Sequence, residues 1–464
     1  MPRVRLHPGK SGIVELRDGR EAFAARALLA DAAERTLDIQ YYIWRNDMSG
    51  TLLLDALRRA AVRGVRIRLL LDDNNTAGLD TLIVALDAHP EIEVRLFNPF
   101  TLRRWRVLNY FTDFARLNRR MHNKTFTADN QVTIVGGRNV GDEYFDAHQE
   151  FSFVDLDVLA IGPVVNDVSL DFERYWQSAS SYPAESILPK ADRASVRKVA
   201  AAAEAVTQSP ASMAYVRALE TSLFVHDLLT GTLGYRWAKT HLVSDDPAKG
   251  LGQRGLRGTL LQRLEEVLGT PQRELQLISP YLVPTREGAE TLAKLARQGV
   301  KITILTNSLE ATDVAAVHAG YAKRRRHLLA NGITIYELMR MTTHRTRSDR
   351  KLTGSSGSSL HAKTFSVDRA RVFVGSFNLD PRSAALNTEM GFVMECAELA
   401  EDIAGLANRL PERCYLVRLR TDGRLEWVEM RDDAEIVHTR EPGAPSWRRS
   451  LVSLLALLPI EWLL

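Results

Sequence analysis

Cysteine is almost missing from this 464-residue sequence: Cys396 and Cys414 are the only two. They have no metal-ligand spacing and make no disulfide framework, so a reducing compartment is the default expectation. Long apolar runs are missing too. No stretch reaches about 18 apolar residues, so nothing reads as a spanning helix. The opening "MPRVRLHPGKSGIVEL" lacks an apolar core of signal-peptide length. Strong charge of one sign is also absent. The 61 Lys and Arg against 57 Asp and Glu give a formal charge of +4 and a pI near 9.0. That mild excess suits an anionic partner without choosing between nucleic acid and anionic lipid. What remains is ordinary globular composition, 45% apolar and 25% charged, in a chain longer than one compact domain usually is.

The two halves follow one plan. "GREAFAARALLADAAER" has helical periodicity, "LDIQYYIW" (Leu37–Trp44) reads as a strand, and a helix is expected near Gly50–Val62. Strands follow in "GVRIRLLLDD", from Gly64, and in "IEVRLF", Ile92–Phe97. The second half repeats the order. "GTLLQRLEEVLG" and "REGAETLAKLARQ" predict helices around the strand "ELQLISPYL" (Glu274–Leu282). "GVKITILTNS" from Gly299, a helix near Ala311–Ala330 and the strand "ITIYEL" (Ile333–Leu338) complete it. Strand–helix alternation of this kind predicts an α/β fold, here duplicated. The expected division is a first lobe over 1–180, a linker or helical region over 181–257, a second lobe over 258–412, and a hairpin with an apolar tail over 413–464. "YLVRLRTDGRLEWVEM" (Tyr415–Met430) predicts the hairpin around Asp422-Gly423.

Each half carries one polar motif. "MHNKTFTAD" holds His122, Lys124 and Asp129; "LHAKTFSVD" holds His361, Lys363 and Asp368. On a strand, residues two apart face the same way, so each histidine points with its lysine. The match continues without a gap. Asn139 and Asn378 each lie 17 residues past the histidine, Gly136 and Gly375 three before the asparagine, and Glu150 and Glu389 28 past the histidine. A duplication kept for packing alone would preserve apolar positions, not this polar set. Lysines and asparagines supply donors for a phosphate. One neutral imidazole can attack phosphorus, while the other, protonated, serves the leaving oxygen. Glu150 and Glu389 are suited to orient the two rings. No His/Cys cluster has metal-ligand spacing, so neither a metal nor another cofactor is required.

These paired "HxKxxxxD" motifs, with "GGRN" (Gly136–Asn139) and "GSFN" (Gly375–Asn378), resemble the phospholipase D superfamily. The strings "NRRMHNKTF", "IVGGRNVGDEYF" and "FNLDPRSAALNTEMG" are similar to bacterial cardiolipin synthases of that type, in the subgroup without N-terminal transmembrane helices. The resemblance implies two similar α/β lobes related by a pseudo-two-fold axis, sharing one active site, and a covalent phosphohistidine. It implies His122 as nucleophile and His361 as general acid/base, an order the symmetry of the motifs leaves open. It makes Lys124, Lys363, Asn139 and Asn378 phosphate ligands, and Glu150 and Glu389 the carboxylates on the histidines. Asp129 and Asp368 complete the catalytic motifs and are better suited to supporting their fold than to touching substrate. The implied reaction moves a phosphatidyl group from phosphatidylglycerol or phosphatidylethanolamine to phosphatidylglycerol. A hydrolytic phospholipase D and a nuclease of the same superfamily are the alternatives.

The flanks bear on the partner. Thr101 to Arg120 carries six arginines against Asp113, interleaved with Trp105, Leu108, Tyr110, Phe111 and Phe114. That mixture suits an anionic bilayer; nucleic acid could use it, and a packed surface helix is the plain alternative. The tail "WRRSLVSLLALLPIEWLL" (Trp447–Leu464) is too short to cross a bilayer and either lies on one or packs as a last helix. The expectation is a cytoplasmic protein, peripheral on the inner membrane face through Leu102–Arg120 and the tail, with phospholipid and not nucleic acid as its partner. The cluster Lys323–Arg326 is expected as a solvated helix face and Arg345–Ser359 as a mobile polar loop beside the second motif, though with Arg345, Arg347, Arg350 and Lys351 the cluster could favour an anionic surface there.

Overall fold

The computed structural model describes residues 2–147, 153–190, 192–253, 258–340, 359–406, 412–459 and 461–464. Packing divides the chain into two units: 1–148, 156–263 and 386–392 form the first, and 149–155, 264–385 and 393–464 the second.

The first unit is built on β1 (Ser11–Leu16), β2 (Thr36–Tyr41), β3 (Arg66–Asp72), β4 (Ile92–Phe97), β5 (Thr125–Ala128) and β6 (Val132–Gly136). The strand β7 (Phe153–Val154) belongs to the second unit; β8 (Asp157–Ile161), β9 (Ser181–Pro183) and β10 (Arg236–Ser244) return to the first. Pairing gives the order β10-β1-β8-β6-β5-β2-β3-β4-β9, with β2, β3 and β4 parallel and every other pair antiparallel.

The second unit repeats the centre of this sheet. Its strands are β11 (Glu274–Ile278), β12 (Lys301–Asn307), β13 (Thr334–Leu338), β14 (Ser359–Leu360), β15 (Thr364–Val367) and β16 (Arg371–Gly375), then, after β17 (Met390–Glu395), of which only 393–395 belong to this unit, β18 (Cys414–Leu419), β19 (Leu425–Arg431) and β20 (Ala434–His438). The order β16-β15-β11-β12-β13 matches β6-β5-β2-β3-β4 pair for pair, parallel strands included. Register repeats as well: Gln40 faces Thr125 and Ile278 faces Thr364, each threonine three residues past its motif histidine. The central strands carry buried aliphatic side chains at alternate positions, as at Ile92, Val94 and Leu96 of β4. Each helix ahead of a parallel strand, Met48–Val62 and Arg286–Arg297, is followed by a glycine with positive φ, Gly64 (89°) and Gly299 (96°). A side chain there would meet the left-handed penalty, so the two chain reversals need glycine.

The stretch expected as a linker or helical region contains the helices Arg193–Thr207, Pro210–Glu220 and Leu223–Thr230, and its described residues belong to the first unit: β9 covers the open edge of β4 and β10 pairs with β1. The region after 412 is likewise part of a sheet, because β18 covers the edge of β13 and extends through β19 and β20. Both additions remove exposed edges that would otherwise invite pairing with another chain. The tail is docked. Helix Ser446–Leu455 buries Val452 against Leu309, Ala319 and Ala444. Glu461 pairs with Arg324 at 3.1 Å, and the Arg382 N–H donates to the Leu464 carbonyl at 2.7 Å. Arg324 and Lys323, expected as solvated charges, are therefore partly occupied by the tail. The expected polar stretch Arg345–Ser359 lies, up to residue 358, outside the described residues.

Candidate active site

In the first unit His122 opens the segment into β5 and is buried. Its Nδ1 lies 2.8 Å from Glu389 Oε2, whose residue is wholly buried. A ring bonded to a carboxylate through Nδ1 keeps its proton there and leaves Nε2 with a lone pair. Glu389 is placed by main-chain bonds. The His122 N–H donates to the Thr388 carbonyl at 2.9 Å, and the Thr388 N–H donates to the Arg120 carbonyl at 2.9 Å. The Glu389 N–H donates to Asp245 Oδ2 at 3.0 Å. Burial raises the Asp245 carboxyl, and Lys249, 2.8 Å away, pulls it back. Lys124 is fully buried; its Nζ donates to the His122 carbonyl and lies 5.4 Å from the centre of the Tyr42 ring. Tyr42 also stands edge-on to the imidazole, with ring centres 4.9 Å apart.

Asn139 comes from the turn after β6. Gly136 lets that turn close, since a Cβ there would stand 2.1 Å from Asp157 Oδ1. Asp157 holds Arg26 at 2.7 Å and accepts the Arg138 N–H at 3.1 Å, while the Arg138 side chain donates to the Leu16 and Arg17 carbonyls. The Asn139 amide accepts from the Ile43 N–H and donates to the Tyr144 hydroxyl, both at 3.1 Å. One further Nδ2 hydrogen remains for a ligand.

The second unit has the corresponding set. His361 Nδ1 lies 2.5 Å from Asp155 Oδ2. Lys363, fully buried, places Nζ 2.9 Å from Nδ1 and 3.3 Å from Nε2 of the same ring. Asp155 is held because β7 pairs with β14, and the His361 and Ala362 N–H groups both donate to the Val154 carbonyl. Asn378 is buried, and its Oδ1 has no hydrogen-bond partner among the described residues.

Two expectations change. The carboxylate on His361 is Asp155; Glu150, expected in such a role, lies outside the described residues. The carboxylates are also exchanged along the chain. Glu389, which follows the second motif, holds the first histidine, and Asp155, which follows the first motif, holds the second. The other change concerns Asp129 and Asp368, expected within the catalytic set. They stand at the far ends of β5 and β15, each with positive φ (52° and 54°). Asp129 accepts the N–H groups of Glu34, Arg35 and Thr36 at 2.8–2.9 Å. Asp368 accepts those of Gln272, Arg273 and Glu274. Burial raises both carboxyls, but these donors outweigh it and hold them below the usual range. They anchor strand entry.

Asp72 and Asn307 are a matched pair that motif reading missed. They end the equivalent strands β3 and β12. Asp72 Oδ2 accepts the Met121 N–H at 2.8 Å, and Asn307 Oδ1 accepts the Leu360 N–H at 3.0 Å. Each thus fixes the residue just before a motif histidine. Comparing the strand ends "LLLDD" and "TILTNS" in the two halves was the available signal. Burial lifts Asp72 to about 6 against the pull of Arg120 and of the Asn74 and Met121 N–H groups. An unfolded aspartate titrates near 3.9. The folded state therefore binds this proton more tightly, and ionised Asp72 costs stability above about pH 6 but not below about pH 4. Relative to Asp72→Asn, the native chain should lose roughly 3 kcal/mol between those limits. Denaturant titrations of both proteins across that range measure it, and a pH-independent difference would refute it.

Among the described residues no three His, Cys, Asp or Glu side chains stand close enough to share a metal ion.

Comparison with known proteins agrees with the duplicated motif. The family described as "Cardiolipin synthase, PLD-like domain" matches residues 27–176 and again 264–410. Cardiolipin synthase C of Escherichia coli is 52% identical over 470 aligned positions, covering 100% of this chain and 98% of its own. A cardiolipin synthase of Staphylococcus aureus is 23% identical, covering 89% of this chain and 70% of its own. Among solved structures, phosphatidylserine synthase of Haemophilus influenzae superposes over 97% of this chain and 95% of its own, with a TM-score of 0.63 at 14% identity; that likeness concerns fold. The chain belongs to the phospholipase D-like cardiolipin synthase family. It is a phosphatidyltransferase of that type, acting on phospholipids, and the chemistry of the family runs through a phosphohistidine.

Proposed function

We propose that the chain makes cardiolipin, with both histidines serving one phosphoryl group. The observation that carries this is the repeated unit of imidazole, carboxylate on Nδ1 and buried lysine two residues on. His122 Nε2 attacks the phosphorus of a donor phospholipid. The bond to the head-group oxygen breaks, and His361, protonated, gives its proton to that oxygen. A hydroxyl of phosphatidylglycerol then loses its proton to His361 and attacks, breaking the N–P bond. Lys124, Lys363, Asn139 and Asn378 hold the non-bridging oxygens. Two buried ammonium groups suit a phosphodiester anion, whose oxygens accept charge-assisted hydrogen bonds. Phosphatidylglycerol or phosphatidylethanolamine is the donor, and water must be kept out, since its attack would give phosphatidic acid.

The same reading makes the protein peripheral on the inner membrane face. No described helix is long and apolar enough to cross a membrane. Leu102–Arg120 and the C-terminal helix are the proposed contacts. The helix docks through Val452 yet exposes Trp447 and Leu454, and Leu457 just beyond it is exposed too.

The test is product analysis on liposomes holding labelled phosphatidylglycerol or phosphatidylethanolamine. Labelled cardiolipin is expected. Phosphatidic acid alone would replace this reading with a hydrolytic phospholipase D, and cleavage of DNA with neither lipid product would replace it with a nuclease.

A further inference from the structure

We infer that residues 102–117 are a wedge that docks the first unit on a phospholipid bilayer by inserting apolar side chains, with its arginines turned inward. This rests on the membrane reading above but reverses its electrostatic basis.

The segment is a short 3₁₀ turn (Arg103–Trp105) followed by the helix Arg106–Leu117, bent at Asp113, where φ is −145° and ψ is 40°. Its apolar residues face out. Trp105 is 63% exposed, Val107 72% and Phe111 83%, and Leu102, Leu108 and Phe114 are about half exposed. Apart from Arg104 and Thr112, its polar residues face in. Arg103 pairs with Asp73 at 2.7 Å and with Asp80. Arg106 donates to the Asp73 carbonyl and the Thr76 hydroxyl. Arg116 pairs with Asp113 at 2.6 Å, and Arg120 with buried Asp72 at 3.3 Å. Asn109, fully buried, accepts the Leu102 N–H and donates to the Arg106 carbonyl. A helix resting in water carries its charges outside. This one presents a row of six apolar side chains instead, larger than scattered exposure produces.

Two observations commit the face to lipid. The first is charge. Asp73, Asp80 and Asp113 offset three of the four arginines, Arg103, Arg106 and Arg116, so the segment is only weakly cationic. Arg104, exposed and with no ion pair among the described residues, stays at the rim. There a cavity of about 390 Å³ is lined by Gly78, Asp80, Arg103, Arg104, Trp105 and Leu108. A cationic rim beside an apolar row matches headgroup phosphate beside hydrocarbon. The second is continuity. His122 lies five residues past Leu117, at most about 18 Å of chain. A wedge seated in the bilayer therefore keeps the imidazole close to the headgroup layer where its substrates lie.

Sedimentation with vesicles of phosphatidylcholine, alone or mixed with phosphatidylglycerol, tests this. The native protein should bind neutral vesicles, and raising salt to about 0.5 M should change binding less than about threefold. Trp105→Ser with Phe111→Ser should lower binding by about 30-fold at an unchanged melting temperature. The same variant should transfer phosphatidyl groups normally in detergent micelles and slowly on vesicles. Native-like vesicle binding by the double variant overturns the wedge. So does binding that requires phosphatidylglycerol and vanishes in salt. A double variant that differs from the native chain only in self-association without vesicles would assign the face to a second copy and also overturn it. A native chain that binds neutral vesicles in this way yet makes no cardiolipin in micelles would remove the proposed function and leave the wedge standing.

Discussion

Replacing His122 by alanine should lower phosphatidyl transfer by at least about 10⁴-fold, the scale seen when a covalent nucleophile is removed. Its motif partner cannot take its place. Lys124 turns its ammonium to the His122 carbonyl, and an ammonium has no lone pair to offer. His361→Ala should be as damaging with natural donors, because the head-group alkoxide then leaves without a proton. The two losses differ with a donor whose leaving group is a nitrophenol. Such a group departs unprotonated, so His361→Ala should form the covalent intermediate and stall, lacking a base for the acceptor hydroxyl. Label from the phosphorus should then remain on His122 of that variant, and mass spectrometry of the digested protein locates it. Label on no residue of His361→Ala would contradict the assigned order. Label on His361 of His122→Ala would reverse it.

Much of this site was legible from spacing. Ungapped repetition of His, Lys, Asn and Glu implied a duplicated polar constellation, and the matched sheet centres show that duplication in the backbone. Strands with aliphatic runs were placed to within a few residues; "IEVRLF" forms a strand over its whole length. What spacing could not give was partner choice. Repeat arithmetic aligns Glu150 with Glu389, but which ring a carboxylate meets depends on strand pairing far away in sequence, here β7 with β14 and Thr388 beside Met121. Facing was equally hidden for the arginine-rich segment. Its composition is basic and aromatic, and only the positions of Asp73 and Asp80 decide that the arginines turn inward. Within the region expected as linker or helical, the strands β9 and β10 were opaque because they find their partners across the chain rather than beside them.

Glu389→Gln should lower kcat by about 10²–10⁴-fold while changing KM little. The argument is one of tautomer and charge. Glu389 accepts the Nδ1 proton of His122 and so frees Nε2 for phosphorus. An amide in its place can turn its NH₂ toward Nδ1, which moves the ring proton to Nε2 and removes the attacking lone pair. Even in its other orientation it offers no charge to the cationic phosphoimidazole. Asp155→Asn should do the same to His361, whose proton transfers need a ring held at 2.5 Å by a carboxylate. Because Glu389 lies far past the second motif in sequence, the prediction also separates the observed pairing from the one repeat spacing suggests. With the nitrophenyl donor, Glu389→Gln should slow formation of the phosphohistidine. Asp155→Asn should leave formation nearly unchanged and slow its breakdown. A Glu389→Gln protein that forms the intermediate at the native rate would show that the carboxylate on His122 merely packs there.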